Sequence, residues 1–262
     1  GLGSVRYTVD DLAQPGGAGV SELGSLITRL VAPESWQTAG GVGTLRADGS
    51  VLEISQTEAV HRQVLVFCER LRVARRLPTR SSRPAEQFEL TPRRMRAAPL
   101  LARPVTVNFF EAVPIARIVE ELARITKSQI AVNWLALAEQ GKSPDLAAAV
   151  TLQDTPLGEG LAKLLGPLEL AYRVIDAETI EITTPARLAA QLEREFYPIG
   201  KLLEDGQTAA ALIAQIREAI GRAAWADSGG PGQIAFDQPS QCLIVLQSQD
   251  AQAAIGRLLG GQ

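Results

Sequence analysis

The chain contains the segment WQTAGGVG at residues 36–43 and a second copy, WADSGGPG, at residues 225–232. Each copy follows an apolar helical pattern and precedes a short strand pattern and a second helix. The two copies align almost without gaps over about sixty residues, because the offset changes only from 189 at the tryptophans to 191 between Gln56 and Gln247. This repeat predicts two copies of one small module, which is typical of a building or binding unit.

The composition is that of a globular protein with no general affinity for polyanions. Apolar residues make up 46% of the 262 residues, charged residues make up 21%, and the net charge is −3. No apolar run approaches the ~18 residues of a membrane-spanning helix. Residues 1–4 lack the basic and apolar regions of a signal peptide, so we expect none in this chain.

The first module is predicted to span residues 5–77 in the order β-α-β-β-α. Its first strand contains Tyr7, and Ser21 precedes a helix with one apolar face. The pair Asp48-Gly49 predicts a hairpin turn between the two following strands. Thr57 is expected to cap the last helix of the module.

A linker is predicted for residues 78–104. It contains five prolines and six arginines but only two glutamates, which gives a charge of +4. Such a composition predicts a solvated, extended strap. The strap would lie across an acidic face of the same protein or, in the alternative, bind an anionic partner.

The rest of the chain is predicted to form two further α+β domains. Residues 105–184 show the order β-α-β-β-α-β-β, and residues 185–194 are expected to form a short helical bridge. Residues 195–262 repeat the first module. The predicted fold is therefore of the α+β class, with three small domains of which the outer two are copies.

The two glycine-rich segments are the candidate sites. The residues concerned are Trp36, Gly40, Gly41, Gly43, Trp225, Gly229, Gly230 and Gly232. A dinucleotide loop follows a strand and opens a helix, whereas these segments follow a helix and enter a strand. We therefore expect structural loops with glycines in special conformations, and a partner-recognition loop is the alternative.

No catalytic, cofactor-binding or metal-ligating residue is predicted. His61 is the only histidine, and it lacks the clustered ligands of a metal site, so an exposed structural role is expected. No Gly-x-Ser-x-Gly elbow occurs, and the paired acids Glu120 and Glu121 lie on the polar side of a helix pattern. The chain is not expected to be an enzyme. A concave pocket with converging polar groups near Trp36 or Trp225 would revive that alternative.

A KH-like nucleic-acid-binding protein is a weaker alternative, because its elements are similar. A KH domain clamps the nucleic-acid backbone with a Gly-x-x-Gly loop and basic residues. Residues 40–43 have the spacing Gly-Gly-x-Gly in a different connection and without adjacent lysine or arginine. We therefore expect no nucleic-acid partner.

The repeated unit resembles the small N-terminal modules of bacterial secretins, the outer-membrane channels of secretion and pilus systems. Residues 234–245 (IAFDQPSQCLIV) look like the strand-turn-strand of those modules. The central unit is similar to the short domain of secretins and TonB-dependent receptors, over residues 109–122, 150–152, 155–165 and 170–172. The combination of residues 36–43 with residues 55–61 also looks like envelope proteins of planctomycete-type bacteria.

The resemblance implies a noncatalytic, periplasmic module that binds proteins or stacks laterally with copies of itself, without a cofactor. Outer-membrane association is implied by the resemblance alone, since the chain contains no pore-forming pattern of long alternating strands. The short domain lies between the two copies, whereas in secretins it usually comes first. The alternative is a sensor or receptor domain that binds a partner protein through residues 105–184.

Overall fold

The computed structural model describes residues 1–13 and 19–260. Helices alternate with small separate sheets, and the predicted α+β class is confirmed. The chain divides into two compact units. Unit 1 consists of Gly1–Leu90, Arg194–Gln247 and Ile255–Gln262, and unit 2 consists of Thr91–Glu193 and Ser248–Ala254.

The first repeat has the predicted order β-α-β-β-α. Its elements are β1 (Gly3–Thr8), α1 (Val20–Leu30), β2 (Thr44–Asp48), β3 (Val51–Gln56) and α2 (Glu58–Ala74). The three strands form an antiparallel sheet in the order β1-β3-β2. Asp48 is paired with Val51 across the two-residue turn, and Thr57 caps α2 by accepting a hydrogen bond from the Val60 amide.

The segment expected to be an extended strap contains two short helices, α3 (Arg93–Arg96) and α4 (Ala98–Leu101). Phe88, Ala97 and Leu100 are buried, and their burial accounts for the departure from a solvated strap. Arginines of the segment pair with carboxylates of the same chain. Arg80 contacts Asp10 at 2.9 Å in unit 1, and Arg93 contacts Glu193 at 3.0 Å in unit 2.

The central region has the predicted strand and helix order with one additional short helix. Its elements are β4 (Pro104–Pro114), α5 (Ile115–Thr126), β5 (Gln129–Val132), α6 (Trp134–Ala138), β6 (Ala147–Pro156), α7 (Leu157–Leu165), β7 (Ala171–Val174), β8 (Thr179–Thr183) and α8 (Pro185–Ala190). Strands β4 and β6 form an antiparallel pair. In the second sheet, β8 is parallel to β5 and antiparallel to β7. Helices α5 and α7 contribute many of the buried leucine, isoleucine and valine side chains of the core.

The second repeat adds a short helix to the order of the first. Its elements are β9 (Leu192–Pro198), α9 (Gly200–Glu204), α10 (Ala209–Ile220), β10 (Gln233–Asp237), β11 (Cys242–Ser248) and α11 (Gln249–Gly260). The sheet order is β10-β11-β9, so β10 and β9 are edge strands. The bridge predicted as helical to residue 194 ends as a helix at Ala190. Strand β9 begins at Leu192, because its charged residues Glu193 and Glu195 are buried against arginines.

Candidate interaction site

The glycine-rich loop of the first repeat is closed by its own backbone. Trp36 forms a parallel β-bridge with Gly43, and the Gly43 amide donates to the Ser35 carbonyl at 2.9 Å. Gly40 has a φ of 87°, which favours glycine. A Cβ at Gly41 would lie 2.2 Å from the Ser35 carbonyl carbon, so only glycine fits there.

The loop of the second repeat has the same geometry. Trp225 bridges Gly232, Gly229 has a φ of 84°, and a Cβ at Gly230 would lie 2.3 Å from the Ala223 carbonyl oxygen. The side chain of Gln247 donates to the Ala224 carbonyl at 3.0 Å. In the first repeat the corresponding Gln56 donates to Ser35 at 3.1 Å. Each loop is thus fastened to the last residues of the central strand by an amide side chain.

The loop amides point inward and do not form an anion cradle. Those of Gly40 and Gly41 donate to the carbonyls of Gln37 and Trp36. In the second loop the Gly230 amide donates to Trp225 at the same 2.9 Å distance. These donors are used within the protein, so a phosphate would have to break the loop to bind them. The exposed tips, Val42 and Pro231, are the parts of the loops that a partner can reach.

The two tryptophans differ in one hydrogen bond, which gives a matched test. Trp36 Nε1 donates to the Val31 carbonyl at 2.6 Å, whereas the buried Trp225 Nε1 has no partner among the described residues. Trp36→Phe should therefore lower the free energy of unfolding by about 1–2 kcal/mol more than Trp225→Phe does, because it leaves a buried carbonyl unpaired. Urea denaturation of both variants measures this difference, and equal losses would contradict it.

The two repeats contact each other within unit 1 through arginines and aromatic rings. Phe67 of α2 and Phe196 of β9 have ring centroids 5.9 Å apart. Arg70 lies over Phe196 at 4.8 Å and also pairs with Glu195 at 3.0 Å. Arg194 lies over Phe67 at 5.3 Å. Stacking of guanidinium groups on rings lets charged residues pack inside a largely apolar contact.

The buried arginines of this contact are held by backbone and carboxylate oxygens. Arg194 Nε donates to the Leu30 carbonyl at 2.9 Å, and burial together with the nearby Arg70 lowers the pKa of Arg194 to about 9. Arg75 at the end of α2 forms a bidentate pair with Asp237 at the end of β10, at 2.6 and 3.1 Å. Only 5% and 4% of these two side chains are exposed. The repeats are therefore joined by directional bonds.

The sequences of the two central strands, β3 and β11, indicate whether one face or both faces of each sheet are covered. β3 reads VLEISQ and alternates between half-buried and buried residues, which indicates one open face. β11 reads CLIVLQS, and its first six residues are all buried. Leu243 and Val245 belong to the core of the second repeat, whereas Cys242, Ile244 and Leu246 lie on the opposite face. The continuous apolar run thus marks a sheet covered on both faces.

The edge strand β1 is the most exposed strand of unit 1. Its burial pattern contains one half-buried residue, Tyr7, and no buried residue. The Val9 amide donates to Ser50, so by alternation the backbone groups of Ser4, Arg6 and Thr8 point away from β3. The Thr8 carbonyl accepts from the side chains of Arg72 and Arg80, whereas the amides of Ser4 and Arg6 have no acceptor among the described residues. The N-terminal half of this edge is therefore open.

His61 fastens β1 to α2, and it is half-buried where the sequence predicted exposure. Its Nε2 donates to the Gly3 carbonyl at 2.8 Å, and its Nδ1 lies 2.9 Å from the Tyr7 hydroxyl. Burial raises the pKa of Tyr7 to about 12. Both ring nitrogens of His61 are thus used within the structure, which fits a structural role.

The described residues contain no candidate metal cluster, and both cysteines are buried. Within the described residues, 1–13 and 19–260, no group of three or more histidine, cysteine, aspartate or glutamate side chains is placed to hold a metal ion. Cys68 and Cys242 are free and buried, and burial raises the pKa of the Cys68 thiol to about 12. Within the same residues, no helix is long and apolar enough to cross a bilayer.

No protein-family model matches the sequence, and no curated protein matches it significantly. Among solved structures, the N-terminal domain of the secretin XcpQ from Pseudomonas aeruginosa is 13% identical, with a TM-score of 0.22, over 60% of this chain and 63% of that one. The type IV competence pilus secretin PilQ of V. cholerae is 18% identical, with a TM-score of 0.23, over 60% of this chain and 37% of that one.

The GspC-GspD complex of the type II secretion system of enterotoxigenic Escherichia coli is 12% identical, with a TM-score of 0.22. That match covers 60% of this chain and 97% of the other. The chain spans less than two thirds of the XcpQ and PilQ chains.

Proposed function

We propose that this chain is a noncatalytic protein–protein interaction and assembly module of the bacterial periplasm, of the kind found in the N-terminal part of secretins. Residues 5–77, 105–184 and 195–262 are its three modules in this proposal. The observation that carries it is the open edge of β1, which offers unpaired backbone donors and acceptors to another chain. The inward-directed amides of both glycine-rich loops support a structural role for those loops.

Assembly proceeds in this proposal by pairing β1 with a strand edge of a neighbouring copy. Val5 has 41% of its surface exposed on the helix side of β1, and a neighbouring strand would cover it. Pairing of β1 with the β1 of another copy closes as a dimer, whereas pairing with a different edge continues into a ring or a larger oligomer.

The outer face of the first sheet supports edge pairing over stacking of faces. Arg6 pairs with Glu53 at 2.8 Å and with Asp48 at 3.7 Å, and all three side chains are exposed. Arg46, opposite Glu53 in the sheet, is exposed as well. A charged face of this kind is typical of the terminal repeat of a stack, which keeps one face in water.

The test is the absolute mass in solution, measured by size exclusion with light scattering across a range of concentrations. The wild-type mass should exceed 28.0 kDa and rise with concentration or settle at a discrete multiple. Ser4→Pro should shift the mass toward the monomer, because proline removes an outward-pointing N–H while an edge strand tolerates it. Ser4→Ala keeps that donor and should behave as wild type. A wild-type monomer at every concentration would contradict self-assembly by this chain.

A receptor domain that binds a partner through the central region is the second candidate. Two large apolar side chains of that region, Phe110 on β4 and Leu135 on α6, are 80% and 75% exposed. Exposed aromatic and leucine residues are typical anchors for a protein partner. Two results together would favour this alternative. The wild-type chain would remain a monomer, and the Phe110→Ser variant would lose binding of the partner protein.

A further inference from the structure

A groove of about 510 Å³ runs along the edge strand β10 between two helices of unit 1. Leu26 and Arg29 of α1 line one side, and Ile213 and Arg217 of α10 line the other. Residues 234–239, which comprise most of β10 and the following turn, form its floor. The groove therefore combines an unpaired strand edge with apolar side chains on both sides.

The backbone of β10 offers its outward groups at alternate residues. The Ile234 carbonyl accepts a hydrogen bond from Arg29 Nη2 at 3.3 Å, so this carbonyl points away from β11. By alternation, the backbone groups of Phe236 point outward too. Arg29 thus occupies a position that the amide of an added strand would take. A charged side chain placed at the edge of a sheet protects the edge strand from pairing with another chain.

One basic side chain of the groove has no carboxylate partner among the described residues. Arg29 bonds to the Ile234 carbonyl, whereas Arg217 Nη2 pairs with Asp227 at 2.7 Å and only its buried Nε has no acceptor. Two acids also line the groove. Asp237 binds Arg75, and Glu22 accepts from the Gly19 amide at 3.1 Å. A carboxylate is therefore the complementary group for Arg29.

We propose that the groove along β10 binds an extended peptide segment of a partner protein, with alternating apolar residues and at least one acidic residue. This inference deepens the proposed interaction function and rests on it. The peptide pairs with the outward groups of Ile234 and Phe236, and its apolar side chains contact Leu26 and Ile213. Arg29 leaves the Ile234 carbonyl, which then accepts from a peptide N–H, and pairs with the peptide carboxylate.

The shape of the groove favours a single strand over a second copy of this chain. Residues of α1 and α10 line the groove together with residues 234–239 of the edge. The edges β1 and β10 belong to sheets that carry their own helices. A folded module brought to β10 by one of these edges would place those helices against α1 or α10.

The experiment measures binding by fluorescence anisotropy, with the Ser4→Pro chain as the host so that self-assembly does not interfere. The probe is a fluorescein-labelled octapeptide of alternating valine and aspartate, and the same peptide with lysine for aspartate is the control. The aspartate peptide should bind about tenfold more tightly than the lysine peptide. Arg29→Gln should weaken its binding about tenfold, since the carboxylate loses its partner. Arg222→Gln, at an exposed site outside the groove, should leave it unchanged.

Amide exchange by NMR locates the bound peptide independently. Saturating aspartate peptide should slow exchange of the Ile234 and Phe236 amides and leave those of Ser4 and Arg6 unaffected. Absence of binding, equal binding of both peptides or an unchanged affinity in Arg29→Gln would overturn the proposal. So would protection of the β10 amides that rises with protein concentration alone, because a second copy would then occupy the groove. Each of these results is separate from the mass measurement that tests assembly.

Discussion

Replacing Arg75 by alanine should lower the free energy of unfolding by about 3–5 kcal/mol, because it leaves a buried carboxylate without its partner. Arg75 donates to Asp237 twice and also to the Leu12 carbonyl at 2.6 Å. The pair joins the end of α2 in the first repeat to the end of β10 in the second. Its loss should therefore weaken the packing of the two repeats as well as the local bond.

Urea denaturation followed by tryptophan fluorescence measures this effect, since Trp36 and Trp225 both report on unit 1. Arg222→Ala is the matched control, because Arg222 is exposed and pairs only with Glu218 of the preceding helix among the described residues. We expect that control to change stability by less than about 0.5 kcal/mol. A double-mutant cycle of Arg75→Ala with Asp237→Ala should give a coupling energy above about 1 kcal/mol. An Arg75→Ala loss equal to that of the control would contradict the buried contact.

Gly41→Ala should destabilise the protein by about 3 kcal/mol, whereas the neighbouring Gly40→Ala should cost only about 1 kcal/mol. The alanine Cβ at position 41 meets backbone atoms of Ser35 at 2.2 and 2.3 Å, which only a backbone shift can relieve. At position 40 the space is empty, and the cost arises from the positive φ alone. The two substitutions thus separate close packing from conformational strain.

The second repeat offers an independent copy of the same test. Gly230 has the close contact and Gly229 has the positive φ with open space. Denaturation midpoints of the four alanine variants should fall in two pairs, with positions 41 and 230 the lower pair. If positions 40 and 229 were the more sensitive pair, positive φ and not close packing would dominate the loop.

Most of the fold prediction came from the internal repeat. The spacing of Trp36–Gly43 and Trp225–Gly232 anticipated two similar modules, and their strand and helix orders follow from apolar periodicity. The division of the chain into two compact units could not be predicted from the repeat or from apolar periodicity. Arg70 and Arg75 contact residues 125 and 162 positions away, and periodicity within one element contains no information on such distant partners.

Local patterns were hardest to interpret where charged residues are buried. The predicted helical bridge extended to residue 194, whereas the helix ends at Ala190 and residues 192–198, which read LEREFYP, form strand β9. In the structure Glu193 accepts from Arg173 at 3.0 Å and Glu195 accepts from Arg70 at 3.0 Å, so both carboxylates are neutralised inside a strand. The continuous apolar run of β11 was the available clue that this sheet is covered on both faces.

The groove along β10 was likewise not visible in the sequence. Its sides come from α1 and α10, which lie in different repeats, and its basic residues Arg29 and Arg217 are separated by most of the chain. Exposed strand edges, in contrast, are expected of such a small module, and the structure identifies β1 as one of them.

The central claim is that β1 is the edge through which copies of this chain pair. The most direct measurement is amide exchange of Ser4 and Arg6 by NMR at low and high protein concentration. We expect exchange at both amides to slow as the mass rises, because the neighbouring strand would accept hydrogen bonds from them. Fast exchange at both positions in an assembled sample would contradict the claim and place the assembly contact elsewhere.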